Sequence, residues 1–425
     1  MTADVFHQPS VAVIGGGWAG CAAALTLAEA GVPVALLEAS RSLGGRARAV
    51  EVDGLTLDNG QHILLGAYTQ TLALIERLHL ADGLWRLPLT LNQPPDFSLA
   101  CPRLPAPLHV LAGLLGAQGL NWREKLAAAR WAYMLLRDAE SPGERTVSQL
   151  TRNQPEKLNR LLWHPLCISA LNTPPEIASA LVFRNVIRAA FGGRNQHSDL
   201  LLPRRDLTTL FPAPAAARVA ALGGTVRLSC RVTALDATTD VVTLRTHGES
   251  LAYSHVILAV APQHLADLAA PIPALESVVR DVATYRYQAI ATGYVQYDPA
   301  FRLSQALFAL ADGPAQFVFD RGQSHGQAGL LAFVASTANV PADWLDQVES
   351  QLQRIALPGS ARWRKSIVEK QATYACVPKL ARPAIRTPHP RIFLAGDYTA
   401  GAYPATLESA TSSGVQSAHA LLEQL

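Results

Sequence analysis

The sequence predicts an α/β fold, a Rossmann-like domain joined to a second, α+β domain that contains a mixed sheet and cap helices. Three features of the 425 residues carry that prediction. A strand, a glycine turn, a helix and a second strand follow one another from Val11 to Glu38, and a strand ending in Gly396-Asp397 leads into a long helix near the other end. Between them, Ala283 to Val334 alternates apolar with polar residues, the pattern of strands with one buried face.

In the opening unit, Val11-Ala12-Val13-Ile14 has the length of a buried parallel strand and the Ala-rich run from Cys21 to Ala30 is long enough for a helix. Gly31 stands at the C-cap and Val34 to Leu37 forms the next strand. The turn Gly15-Gly16-Gly17-Trp18-Ala19-Gly20 separates strand from helix. Gly15 permits the tight turn, Gly17 lets the backbone lie against a pyrophosphate, and Gly20 lets the helix pack close to the strand. Trp18 and Ala19 belong to the same contact surface. The helix aims its free N–H groups and positive dipole end at the phosphates. Glu38, with Ala39 beside it, stands where an acid accepts the ribose hydroxyls of an adenosine. The unit predicts a bound dinucleotide; the bland alternative is an ordinary glycine turn.

A second paired-glycine turn follows, Ser42-Leu43-Gly44-Gly45-Arg46-Ala47-Arg48. This arrangement resembles the amine oxidase and phytoene desaturase flavoproteins, whose Rossmann-like FAD-binding domain is of the glutathione-reductase type. The resemblance implies that FAD is the cofactor, that Gly45 and Arg46 lie along its diphosphate and ribityl chain, and that the second domain binds substrate. A solvated basic turn is the alternative for Arg46 and Arg48.

Composition narrows the classes. Hydrophobic residues make up 49% of the chain, enough for a large core, and the length suits two or three domains. Charged residues are 16% and the net charge is +3, which gives no electrostatic footprint for nucleic acid. The five cysteines, Cys21, Cys101, Cys167, Cys230 and Cys376, show no paired metal spacing. They predict neither metal site nor disulfide framework, and a reducing compartment. Met1 to Ser10 leads directly into the first strand and reads as no signal peptide. Pro105 to Leu120 comes nearest to a membrane span but contains His109, several glycines and Gln118. The expected location is cytoplasmic or peripheral at the inner face of the membrane.

Beyond Arg48, Ala49 to Asp58 alternates like a hairpin turning at Asp53-Gly54. It delivers Asp58-Asn59-Gly60-Gln61-His62, which the flavoprotein resemblance places near the isoalloxazine ring, making Asp58, Gln61 and His62 candidates to face flavin or substrate. An Asx turn with a hydrogen-bonded core histidine is the alternative. A helix from Tyr68 to Leu80 closes the first portion, and prolines between Pro88 and Pro107 mark the exit into the second domain. The expected division is 1–87, 200–270 and 380–425 for the FAD domain, with 88–199 and 271–379 for the substrate domain. Two cap helices are expected at Leu108–Leu115 and Lys125–Arg137, the second with Leu126, Ala129, Tyr133 and Leu136 on one face. Arg123, Lys125, Arg130 and Arg137 beside Trp122 and Trp131 suit either an anionic membrane surface or a cap helix packed on its own domain. Asn172 or Thr173 is placed to cap a helix beginning near Pro174.

Gly223 to Leu235 and His255 to Pro262 return the chain to strands, a helix follows from Asp343 to Leu357, and a further strand lies near Ala372-Thr373-Tyr374. From the resemblance, the backbone at Val232 touches the adenine, and Gly396-Asp397 receives hydrogen bonds from the ribityl or phosphate region. Ala405, Thr406 and Leu407 put a helix N-terminus at the pyrimidine end of the flavin, and Tyr403 sets an aromatic ring against its substrate side.

Asp58–His62, Leu171-Asn172-Thr173-Pro174-Pro175, Leu200-Leu201-Leu202-Pro203-Arg204, Gly396-Asp397-Tyr398-Thr399 and Tyr403-Pro404-Ala405-Thr406 together resemble the hydroxysqualene dehydroxylase family, the squalene-associated FAD-dependent desaturases of hopanoid pathways. The resemblance implies that hydroxysqualene, a long isoprenoid, loses its allylic hydroxyl and receives a hydride from reduced flavin to give squalene. It needs an acid, for which His62 is favoured over Asp58, and Tyr403 would steady the cation by its ring face. The alternatives are a carotenoid-type desaturase or amine oxidase running the flavin oxidatively, and a non-catalytic isoprenoid carrier. The expected partners are the isoprenoid and either the membrane or the enzyme that supplies hydroxysqualene. The oligomeric state is left open.

Overall fold

The computed structural model describes residues 9–137, 141–336 and 340–425. The leader-free reading of Met1 to Ser10 falls mostly on residues outside these. A five-stranded sheet runs in the order Thr225–Arg227, Val34–Leu37, Val11–Ile14, His255–Leu258, Ile392–Leu394, and every pairing in it is parallel. Val11–Ile14 and its neighbours on both sides are buried, as continuous apolar strands covered on both faces must be. The helix Trp18–Glu29 begins three residues before the Ala-rich run. Its small residues let the closing helix Leu407–Leu422 lie at backbone distance: a Cβ on Gly414 would stand 2.1 Å from the carbonyl oxygen of Ala19.

The hairpin forms from Ala49–Val52 and Leu55–Asp58. Asp53 and Gly54 both take positive φ, 51° and 80°, the signature of the two-residue turn that matches strand twist. The helix expected from Tyr68 is Thr69–Arg77, and the carboxylate of Glu408 accepts from the N–H groups of Gln70 and Thr71, both at 2.9 Å. The closing helix thereby caps this one.

The second large sheet has the order Leu307–Ala309, Phe317–Asp320, Leu330–Ala335, Tyr287–Gln296, Trp363–Tyr374. It is antiparallel at all four pairings rather than mixed. Its first three strands follow one another in the chain, the second connection holding the short helix Arg321–His325, and both connections are too short for the crossovers that parallel pairing needs. The strand expected near Ala372 is twelve residues long; it lies at the sheet edge, where Arg364, Lys365, Glu369 and Lys370 break the apolar pattern. The helix expected from Asp343 to Leu357 spans Trp344–Leu352.

The cap consists chiefly of Leu108–Gly116, Trp122–Arg137, His164–Leu171 and Ala180–Phe191. Asn172 does not start a helix. It ends His164–Leu171 in the left-handed conformation, φ 45°, and Ser179 caps the next helix by accepting from the Val182 N–H. Among the described residues, no helix is long and apolar enough to cross a membrane.

Candidate active site

A cavity of about 910 Å³ runs between the parallel sheet and the antiparallel one, near the upper end of the ~300–1,000 Å³ typical of small-molecule sites. At one end the two glycine turns meet. Gly17 and Gly44 form a backbone bridge, and the Gly44 N–H donates to the Gly16 carbonyl at 2.8 Å. A Cβ on Gly17 would find nothing nearer than the Cα of Gly45, 3.9 Å away, so the space in front of it belongs to the cavity. The helix Trp18–Glu29 has no side-chain cap and no acidic residue in its first turn. Its unpaired N–H groups form an anion site. Gly20, by contrast, is packed against the carbonyl oxygen of Gly15 and does not line the cavity.

Glu38 is held by the N–H groups of Gly16 and Ser40, each at 2.6 Å, and keeps lone pairs for a ribose. Ala39 and Val232 line the same end. Arg46 donates to Asp397 at 2.7 Å and to the Ala372 carbonyl at 2.7 Å. It lines the cavity while tying the second glycine turn to both the edge strand and the closing motif. The Arg46–Asp397 pair raises the already high pKa of the guanidinium against the opposing effect of burial. Gly15, Trp18, Ala19, Gly45, Gln61, Gly396, Ala405, Thr406 and Leu407 also line the cavity. Thr406 caps the closing helix through the Ser409 N–H. The glycine cradle, the bare helix N-terminus, the Glu38 carboxylate and the arginine are donors and acceptors of the kind that would hold the diphosphate, ribose and ribityl groups of FAD.

At the other end Ile63, Ile168, Ile290, Phe317, Phe319 and Val334 give the cavity apolar walls. His62 lines this end. Its Nδ1 lies 2.6 Å from the Gly60 carbonyl, which only accepts, so Nδ1 carries the proton and Nε2 faces its surroundings as the exchangeable atom. Burial lowers the pKa of His62 below its ordinary 6.5, opposed by the Gly60 bond and Asp58.

Two expected members of the site lie behind it. Asp58 does not reach the cavity. Its carboxylate accepts from Arg321 at 3.0 Å and from the Leu207 N–H at 2.8 Å, while Tyr294 donates to its carbonyl. The ion pair is almost fully buried on both sides. The hairpin ends at Asp58, and strand alternation turns this side chain into the core. Tyr403 also stays outside the cavity wall, edge-on to Tyr68 at 6.2 Å. Tyr68 is the tyrosine of that pair that faces the cavity.

The structure adds residues whose part in the site their local sequence does not show. Glu369 lines the cavity and accepts from Asn59 at 3.0 Å. Arg382 donates to the carbonyls of Asp397, Gly401 and Tyr403 and so fastens the closing loop. Asn172 lines the cavity beside Thr373, to whose hydroxyl its Nδ2 donates at 2.9 Å. Its Oδ1 is buried without a partner. Only the quoted Leu171–Pro175 motif marked Asn172, and there it read as a helix cap.

A family profile described as flavin containing amine oxidoreductase matches residues 18–422. A hydroxysqualene dehydroxylase of Sinorhizobium fredii is 26% identical over 98% of this chain and 99% of the relative. One of Rhodopseudomonas palustris is 27% identical over 97% and 98%. A solved triple mutant of putrescine oxidase superposes with a TM-score of 0.75 at 18% identity, covering 98% of this chain and 99% of its own. The cofactor is therefore FAD and the protein an oxidoreductase: the chain belongs to the flavin containing amine oxidoreductase family.

Proposed function

We propose that this enzyme removes the allylic hydroxyl of hydroxysqualene by reduction, giving squalene. The observation that carries the reading is His62: one histidine, tautomer fixed by Gly60, presenting an exchangeable nitrogen beside apolar walls. Its protonated form gives a proton to the hydroxyl oxygen, the carbon–oxygen bond breaks, and water leaves. The walls of Ile168, Phe317 and Phe319 keep bulk water from the allylic cation. Bound FAD, once reduced, supplies the hydride that completes the new carbon–hydrogen bond. Asn172, tied to Thr373 at the cavity wall, shapes the place where the substrate hydroxyl is held. The likeness to two enzymes named hydroxysqualene dehydroxylase supports this substrate.

The test is anaerobic. The flavin is reduced with dithionite, hydroxysqualene is added, and the spectrum and extracted lipid are followed. Return of oxidised flavin with one squalene per flavin is the expected result. Flavin that stays reduced, in a protein whose oxidised form is bleached by a polyene precursor or an amine, would replace the reading with an oxidative one. His62→Gln is expected to slow reoxidation by ~10²–10⁴. Because the pKa of His62 lies below 6.5, the acid form is scarce at neutral pH, so the wild-type rate should rise as pH falls through that region and the His62→Gln rate should not. Asn172→Gly keeps the left-handed backbone and removes the amide. It should lower kcat/KM about three- to tenfold with the bound flavin spectrum unchanged.

A further inference from the structure

Large apolar side chains on the surface are not evenly spread. Of the fourteen that are exposed among the described residues, seven lie between Leu104 and Met134, on the outer side of the cap. Trp122 is 74% exposed, Leu126 64% and Leu108 54%. Within the helix Trp122–Arg137, the side chains Trp122, Leu126 and Tyr133 fall on one line at spacings of four and seven residues, which a helix brings to one face. A second line, Arg123, Arg130 and Arg137, runs beside it at seven-residue spacing. Lys125 stands 5.4 Å from the ring of Trp122, and Arg137 lies 5.6 Å from that of Tyr133. From Arg103 to Arg137 the sequence holds five cations, Arg103 and Lys125 included, against one acid, Glu124. That acid is used at the helix start, accepting from the Asn121 N–H.

The opposite face of the same helix is committed to the core. Ala128, Ala129 and Ala132 join Leu158, Leu161, Leu162 and Trp163 in one apolar cluster. This helix was expected to bury Leu126, Ala129, Tyr133 and Leu136 on one face. The chain instead buries the alanines with Leu135 and leaves Leu126 and Tyr133 outside. Immediately after the cluster, His164–Leu171 forms the cavity wall with Ile168 and Ser169, and Ser169 is also exposed. The cap therefore has the cavity on its inner side and the aromatic-cationic face on its outer side.

We propose that this outer face docks the enzyme on an anionic lipid bilayer. Trp122, Leu126, Tyr133 and Leu108 enter the interfacial layer, where amphipathic aromatic rings are favoured. Arg123, Arg130 and Arg137 lie along the lipid phosphates, with Lys125 and Arg103 at the margins. A protein partner would leave the two lines of unlike chemistry without a reason to run side by side; a bilayer offers a layer of phosphate directly above a layer of hydrocarbon. The proposal concerns the surface and holds whichever isoprenoid is reduced.

The test uses the full-length, FAD-loaded protein in a flotation assay with phosphatidylcholine vesicles, with and without phosphatidylglycerol. The protein is expected to float with the phosphatidylglycerol vesicles, to be released as salt is raised, and to stay unbound with phosphatidylcholine alone. Arg123→Glu/Arg130→Glu should reduce the bound fraction at least about tenfold, with flavin content and Tm unchanged because both arginines are exposed. Brominated lipid should quench part of the tryptophan emission, and Trp122→Phe should abolish that part. No binding to phosphatidylglycerol vesicles, or binding that neither salt nor the double charge reversal weakens, overturns the proposal. So does a protein that ignores vesicles and changes its oligomeric state on Leu126→Asp, which would make the face a contact between copies.

Discussion

Gly17→Val is expected to yield a folded, colourless protein. The backbone of Gly17 is extended, φ −73° and ψ −179°, so an L side chain meets no torsional strain there. The nearest atom to an added Cβ is 3.9 Å away, so the folded chain gives it room. In the proposed reading that room holds the diphosphate of FAD, lying against the backbone. The branched side chain then costs the cofactor about 2–3 kcal/mol by overpacking, roughly 30–100-fold in affinity. The measurement is the flavin-to-protein absorbance ratio together with circular dichroism and thermal unfolding of the apoprotein. Gly20→Ala is the contrast, since its Cβ would stand 1.8 Å from the carbonyl oxygen of Gly15; it should lose the fold as well as the flavin. If Gly17→Val retained FAD, the glycine turn would not be the diphosphate site.

Arg321→Ala should be the most destabilising single change in the substrate-side wall. Arg321 is 1% exposed and binds Asp58 at 3.0 Å, Gln61 at 2.9 Å and Gln327 at 2.6 Å. Removing one partner of a buried pair leaves the other charge uncompensated and costs ~3–5 kcal/mol. The loss has a pH signature. Burial already raises the Asp58 carboxyl above its ordinary 3.8, opposed chiefly by Arg321, so without Arg321 the folded-state pKa climbs further. A carboxyl whose folded pKa exceeds its unfolded one favours the fold below the unfolded value and loses that contribution as pH rises through the folded value. The variant's stability relative to wild type should accordingly be best in acid and worsen as pH rises above the wild type's own raised Asp58 value. In the wild type His325, whose Nε2 lies 3.7 Å from the Asp58 carboxylate, stays neutral because burial and Arg321 push it down to about 3. Asp58→Asn/Arg321→Gln should recover part of the loss, because it removes both charges together. A double-mutant cycle measured by urea unfolding checks this; additive losses would refute coupling between the two.

The same pair shows how far the sequence could be read. The glycines, Glu38, the paired Gly44-Gly45 turn and Gly396-Asp397 announce themselves because phosphate approach and tight turns restrict residue type to one choice at a fixed spacing. Of these, Gly15, Gly17, Glu38, Gly44, Gly45, Gly396 and Asp397 line the cavity, while Gly16, packed against Leu43, and the close-packed Gly20 do not. Asp58 was misplaced because a carboxylate next to a candidate histidine looks the same whether its strand ends facing the cavity or the core. Only the Arg321 partner, 263 residues away in sequence, decides it. Tyr403 was one layer too far forward for a similar reason: its neighbour Tyr68 comes from a distant turn and takes the front position. Asn172, Glu369 and Arg382 act through contacts with residues far off in the chain, and nothing in their local sequence registers such contacts. In the cap helix both lines of residues were visible, but two apolar stripes competed for the core. Packing gave it to the narrower alanine stripe, which allows closer approach to Leu158–Trp163.

The order of strands in the parallel sheet sets a timetable for synthesis. Val11–Ile14 pairs on one side with Val34–Leu37, which emerges at once, and on the other with His255–Leu258, which emerges more than two hundred residues later. The last strand, Ile392–Leu394, and the helix that touches Trp18–Glu29 at backbone distance come later still. Until then the nascent chain carries an unpaired strand edge and an uncovered alanine helix, and its half of the flavin cradle has no other half to close against. Such long-range pairing is slow to form and exposes sticky surface while it waits. The cradle for FAD is therefore complete only on the finished chain, and the ribosome-bound one cannot draw its stability from the cofactor.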